Sequence, residues 1–93
     1  MLNEKYIPTY NIAWQIAPSN DYVYILDIRS EEFYKFDGSA MVIWNTIIET
    51  GMKKDCIDNL CKIYSISSDE ATDDVEDFLC QLIDLGFIRK EES

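Results

Sequence analysis

The period of the hydrophobic pattern changes once along this chain, near Asp37, and the change sets the order in which secondary structure can occur. Before it, apolar residues alternate. Ile12, Trp14 and Ile16 are separated by single residues, and Pro18-Ser19-Asn20-Asp21 follows with turn chemistry. Tyr22 to Ile28 is β-branched and aromatic, and Glu32 to Phe36 alternates again. Three short strands with turns between them, over about residues 11–36, predict an antiparallel meander. After Asp37 the spacing becomes helical. Ala40, Ile43, Trp44, Ile47 and Ile48 form one stripe, which Asp37 or Ser39 can cap and Gly51 can end in a left-handed turn. Ile57, Leu60, Cys61 and Tyr64 repeat the spacing in a second helix. The third opens on Ser67-Ser68-Asp69-Glu70, in which Ser67 and Glu70 can satisfy each other's backbone N–H groups. Ala71, Val75, Phe78, Leu79 and Leu82 give it a buried face, Gly86 closes it, and Phe87-Ile88 can fold back onto the core. Strands first and three helices after, over about residues 38–85, predict an α+β domain of winged helix-turn-helix type, with a three-stranded antiparallel sheet.

Size and composition agree with one domain spanning 1–93. Ninety-three residues, 47 % of them hydrophobic and including two Trp, six Tyr and four Phe, can fill a core and do not read as a disordered chain. No run approaches the roughly 20 apolar residues that cross a bilayer. Met1 to Lys5 lacks the basic-then-apolar layout of a secretion signal, so the expected location is the cytoplasm, with no membrane partner.

The chemistry that the chain lacks is informative. It has no histidine, no glycine-rich phosphate loop, and no nucleophile–base pair, so no catalytic residue is assigned and an enzyme is not expected. Asp73 and Asp74 point to different faces of one helix and are no paired-carboxylate site. The odd set Cys56, Cys61 and Cys80 fits neither a closed disulfide framework nor a metal-ligand spacing, so no metal or cofactor is expected. Buried, small apolar thiols are the simplest reading of all three. Formal net charge is −10, and from Ile63 to Ile88 there is no Lys or Arg. The same stretch carries Asp69, Glu70, Asp73, Asp74, Glu76, Asp77 and Asp84. A DNA-binding winged helix needs cations on its last helix, so no nucleic-acid partner is expected, although a DNA-binding regulator shares the architecture. A basic or neutral partner is favoured, and an acidic protein–protein adaptor stands as the alternative function.

Three blocks between Asp37 and Ile88 resemble the PqqD-like family, also called RiPP recognition elements. They are Asp37-Gly38-Ser39-Ala40 with Ile43-Trp44; Ile57, Leu60 and Tyr64; and Asp74-Val75, Phe78-Leu79, Leu82 and Gly86-Phe87-Ile88. The chain departs from the pattern at Lys53, where many members have a helix-capping Thr, which is expected to weaken the start of the second helix. The resemblance implies a non-catalytic peptide chaperone of natural product biosynthesis. Such a protein binds the leader segment of a ribosomally made precursor peptide and delivers it to a maturation enzyme. The leader adds as a strand beside the third strand, in a groove whose other wall is the third helix. On that basis the leader-binding residues are Glu32, Phe33, Tyr34, Lys35 and Phe36 on the strand, and Thr72, Asp74, Val75, Glu76, Leu79 and Ile83 on the helix. Val75, Leu79 and Ile83 are expected on the groove margin beside Thr72 and Glu76, with Asp74, Asp77 and Gln81 on the other margin. Asp74 is singled out because it matches a family position, as a partner for Lys or Arg in the leader or the enzyme. Free-standing members serve a leader peptidase, as in lasso-peptide assembly, or a radical SAM enzyme, as in PQQ formation. The lasso-peptide setting is favoured on chain length.

Overall fold

The computed structural model describes residues 4–91. The segment Met1–Asn3, part of the reading on secretion signals, lies outside them. Eight elements follow one another: β1 (Tyr6–Pro8), β2 (Ile12–Ile16), β3 (Tyr22–Asp27), β4 (Glu32–Asp37), α1 (Gly38–Glu49), α2 (Lys53–Tyr64), α3 (Ser68–Leu85) and β5 (Ile88–Lys90). The α+β reading holds: β2, β3 and β4 form an antiparallel three-stranded sheet in that order, and three helices follow.

Strand alternation separates the two faces of the sheet. Val23 and Ile25 are fully buried, and their cross-strand neighbours Ile16, Trp14, Phe36 and Tyr34 share their face. Trp14 and Phe36 meet Trp44 of α1 there, at ring-centroid distances of 5.6 and 6.2 Å. Under this layer, Ile43, Trp44, Leu60, Val75, Leu82 and Phe87 are fully buried or nearly so. Each side chain of that size removed from water contributes about 1.5–3 kcal/mol. The α1 stripe is rotated slightly from the expected one. Met41 and Thr46 are buried while Ile48 is turned outward, and the buried Thr46 hydroxyl accepts a 2.9 Å hydrogen bond from the Asn59 side chain of α2.

Helix ends differ from expectation in two places. Asp37 is the N-cap of α1, but its side chain makes no capping bond. Strand β4 runs directly into the helix through Gly38 at φ +55°, a left-handed turn that a side chain would disfavour. Helix α2 begins without a side-chain cap, in keeping with Lys53 replacing a capping Thr, but Lys53 is anchored in two other ways. The Lys53 N–H donates to the Glu4 carbonyl, and its buried ammonium donates to Glu76 Oε2 at 2.9 Å, so the residue ties α2 to α3. At α3 the serine half of the expected box is present, with Glu70 N donating to Ser67 Oγ at 3.2 Å.

The sequence reading contains no counterpart of β1 and β5. They pair antiparallel, with Tyr6 opposite Lys90 and Pro8 opposite Ile88, and form a ribbon from the two ends of the described chain. Tyr6 N donates to the Gly51 carbonyl at 2.8 Å, which docks the ribbon on the turn between α1 and α2.

The thiols also differ from the expected uniform burial. Cys56 is buried, Cys61 is half-buried, and Cys80 is exposed on α3 beside the buried Leu79. Burial pushes the Cys56 thiol up to about 12, so it holds its proton at neutral pH and lacks the reactive thiolate. With native protein at pH 8, a thiol-reactive dye is therefore expected to label Cys80 first and Cys56 only after denaturant is added. Peptide mapping of labelled protein checks the order, and early labelling of Cys56 would contradict the packing around it.

Candidate functional site

Two hydrogen bonds of the β2–β3 ladder fix which backbone groups of β4 are free. Ala17 N donates to Tyr22 O at 3.0 Å, and Ile28 N donates to Asn11 O at 2.9 Å. In an antiparallel ladder the residues that exchange bonds with one neighbour alternate with those that face the other. Even-numbered β3 residues therefore face β2, and Val23, Ile25 and Asp27 face β4. Their partners Phe36 and Tyr34 spend their N–H and C=O groups inside the sheet, while Glu32 N, at the start of the strand, donates to Ser30 Oγ at 3.4 Å. Phe33 and Lys35 direct theirs outward, along an edge to which no strand is paired among the described residues.

Side chains divide in the complementary way. Tyr34 and Phe36 lie on the inner face, Tyr34 against Phe87 and Phe36 against Phe78, both with ring centroids 5.1 Å apart. Desolvation and the neighbouring Glu32 carboxylate raise the Tyr34 phenol above its ordinary value, which keeps it neutral. Phe33 and Lys35 stand on the outer face, with the Lys35 ammonium 4.6 Å from the Tyr22 ring centroid. Phe33 is 70 % exposed.

Helix α3 presents a different margin to this edge from the one its apolar pattern predicts. Phe78 is the residue that meets β4. Around it a hollow of about 210 Å³ is lined by Ser39, Ala40 and Ile43 of α1 and by Asp74, Asp77, Phe78 and Gln81 of α3. Of the helix residues chosen from the sequence, Asp74 lies here. Val75 and Leu79 are instead core residues, at 0 % and 3 % exposure. Glu76, Leu79 and Ile83 line a separate hollow with Tyr6 and Lys53, and Glu76 is held by Lys53. The Thr72 hydroxyl donates to the Ser68 carbonyl within its own helix. The apolar face of α3 is wide enough that its rotation was ambiguous by about one residue step. The aromatic Phe78, within the F-L pair of the third block, was the signal that could have set it.

None of the described ion pairs uses Asp74 or Asp77. Their carboxylates therefore face the hollow without a cation from the described residues. Among the described residues, no group of three or more His, Cys, Asp and Glu side chains is placed to hold a metal ion. No helix among them is long and apolar enough to cross a membrane.

A winged-helix-type α+β domain with a free strand edge at β4 beside a helix-walled hollow is the class these features define. The chain belongs to the PqqD family: the model for coenzyme PQQ synthesis protein D matches residues 22–88, which include the whole of β3, β4 and the three helices. Two solved structures are similar across nearly the whole chain. One, described as TbiB1 in complex with the TbiA(beta) leader peptide, superposes with a TM-score of 0.82 at 18 % identity, covering 94 % of this chain and 99 % of that one. The other, described as lasso peptide synthetase B1 complexed with the leader peptide, gives 0.79 at 18 % identity, covering 91 % and 98 %. At that identity the likeness bears on the fold. No curated protein matches the sequence.

Proposed function

We propose that this protein is a RiPP recognition element that captures the leader segment of a precursor peptide as an added strand on β4 and delivers it to a maturation enzyme. The observation that carries the reading is the free edge of Phe33 and Lys35 beside the α3 hollow, in a member of the PqqD family. Main-chain bonds to that edge supply affinity, and the hollow receives alternate side chains of the guest. The structural neighbours support the same reading, since both are described as bound to leader peptides. A lasso-type leader peptidase is the favoured enzyme because one neighbour is described as a lasso peptide synthetase component, with a radical SAM enzyme second. The protein itself is non-catalytic and cytoplasmic in this proposal. Contact with nucleic acid is disfavoured by the absence of Lys and Arg from α3.

The strand residues Glu32 to Phe36 keep their proposed role, divided between backbone edge and side-chain floor. On α3 the proposal now centres on Asp74, with Phe78, Asp77 and Gln81 beside it. Val75 and Leu79 act by packing beneath the wall, and Thr72, Glu76 and Ile83 lie at its border or behind it.

Titrating labelled leader and core fragments of the precursor separately tests the function. Micromolar or tighter binding is expected for the leader and none for the core, with the precursor's mass unchanged after incubation. Equal affinity for the two halves, or no binding of the leader, would leave an acidic adaptor as the better description.

A further inference from the structure

The hollow beside α3 accounts for one face of an added strand, and the opposite face of the sheet carries an apolar feature that none of the described residues covers. Phe33 stands on that outer face at 70 % exposure, opposite Leu26 in the strand pairing. With Ala13, Gln15, Tyr24 and Leu26 it rims a second hollow of about 220 Å³. An exposed aromatic of this size beside Tyr24 and Leu26 is a feature of interaction surfaces rather than of ordinary solvated strands.

Register connects this hollow to the strand edge. The Phe33 backbone bonds outward while its side chain points to the outer face, so a guest residue paired with Phe33 must place its own side chain on that face too, whichever way the guest runs. Its neighbours on either side in the guest, opposite Glu32 and Tyr34, turn inward.

We infer that the guest peptide is read on both faces of the sheet, with an apolar or aromatic residue packed on Phe33 and lying one position away from a residue on the α3 side. The inference rests on leader capture at β4 and adds a specificity-determining residue, Phe33, to it. The ligand class narrows accordingly, to extended peptides carrying two adjacent anchors of opposite facing rather than anchors on alternate positions alone.

A double-mutant cycle tests it, using the labelled leader that binds the wild-type protein and a set of single-alanine variants of that leader. Phe33→Ser removes the aromatic at a solvent-facing position, so the fold is retained, as a thermal melt would verify. Loss of one aromatic cross-strand pair is expected to weaken binding roughly five- to tenfold. In the serine variant one leader position should lose its sensitivity to alanine, while the adjacent groove-facing position keeps its own. Phe33→Trp should retain wild-type affinity or exceed it. Equal affinity of the wild type and Phe33→Ser would overturn the two-face reading and leave leader capture standing. A wild-type protein that binds no leader would remove both.

Discussion

Replacing Lys35 with proline is expected to weaken leader binding by roughly tenfold to a hundredfold while leaving the protein folded. Replacing its neighbour Tyr34 with proline is expected to destabilise the fold strongly. The two residues differ in where their backbone N–H groups point. Lys35 faces the free edge, so proline there removes a donor that only a guest would use, and places a ring where the guest's backbone must approach. The preceding residue is already extended, as proline requires. A guest carbonyl left without its partner costs about 1–3 kcal/mol, which sets the expected range. The lost contact between Lys35 and Tyr22 is separately measured by Lys35→Ala, which should bind nearly as well as the wild type. At Tyr34 the same substitution deletes a bond to Ile25 within the sheet and the packing on Phe87, at about 3 kcal/mol or more. Circular dichroism of both variants, with leader titration of Lys35→Pro, checks the contrast. A folded Lys35→Pro protein with unchanged affinity would move the guest to another surface. Amide protection on leader addition would then show where, the other sheet edge at Ile12 to Ile16 being the next place to look.

How much of this was readable beforehand depends on the range over which each interaction acts. The meander and the three helices announce themselves within windows of five to eighteen residues, because alternation and helical spacing are local consequences of burying one face. Caps at Ser67 and Gly86 were legible for the same reason. The β1–β5 ribbon was not. Each strand has three residues, too few for a period, and the partners lie at opposite ends of the chain. The missing cap at the start of α2 was legible from Lys53, but the tie that Lys53 makes to α3 was not, because its partner Glu76 lies 23 residues away. For the proposed site, the strand itself was legible as a strand, but which of its residues carry the free edge follows from the pairing of β2 with β3. The rotation of α3 follows from Phe36 meeting Phe78. Neither relation is written in one segment. The residues that line the α3 hollow from α1, Ser39, Ala40 and Ile43, carry no chemistry that would mark them in a sequence.

Stability and recognition are held by different parts of this fold, and Gly51 is where the separation should be most visible. Gly51 has φ +74°, and a β-carbon added to it would lie 2.5 Å from the Tyr6 carbonyl oxygen, an approach no real contact tolerates. Both the left-handed backbone and the clash act against any side chain, and the opposing atom belongs to a backbone rather than a flexible side chain. The Gly51→Ala variant is therefore expected to lose about 2–4 kcal/mol, with strain at the turn and displacement of β1 both contributing. A domain of this size has roughly 5–14 kcal/mol in total, so the melting temperature should fall by roughly 8–30 degrees. Displacing β1 also disturbs the Tyr6 bond to Gly51 and the pairing of Lys53 N with the Glu4 carbonyl, which together dock the β1–β5 ribbon against the helices. The β4 edge and the wall formed by Phe78, Asp74 and Gln81 take no support from that ribbon through any of these bonds. Leader affinity measured well below the melting temperature, and corrected for the folded fraction, should consequently equal that of the wild type. A Gly51→Ala protein that melts normally would contradict the packing at the turn. One that folds but binds leader weakly would mean that the ribbon helps to shape the site.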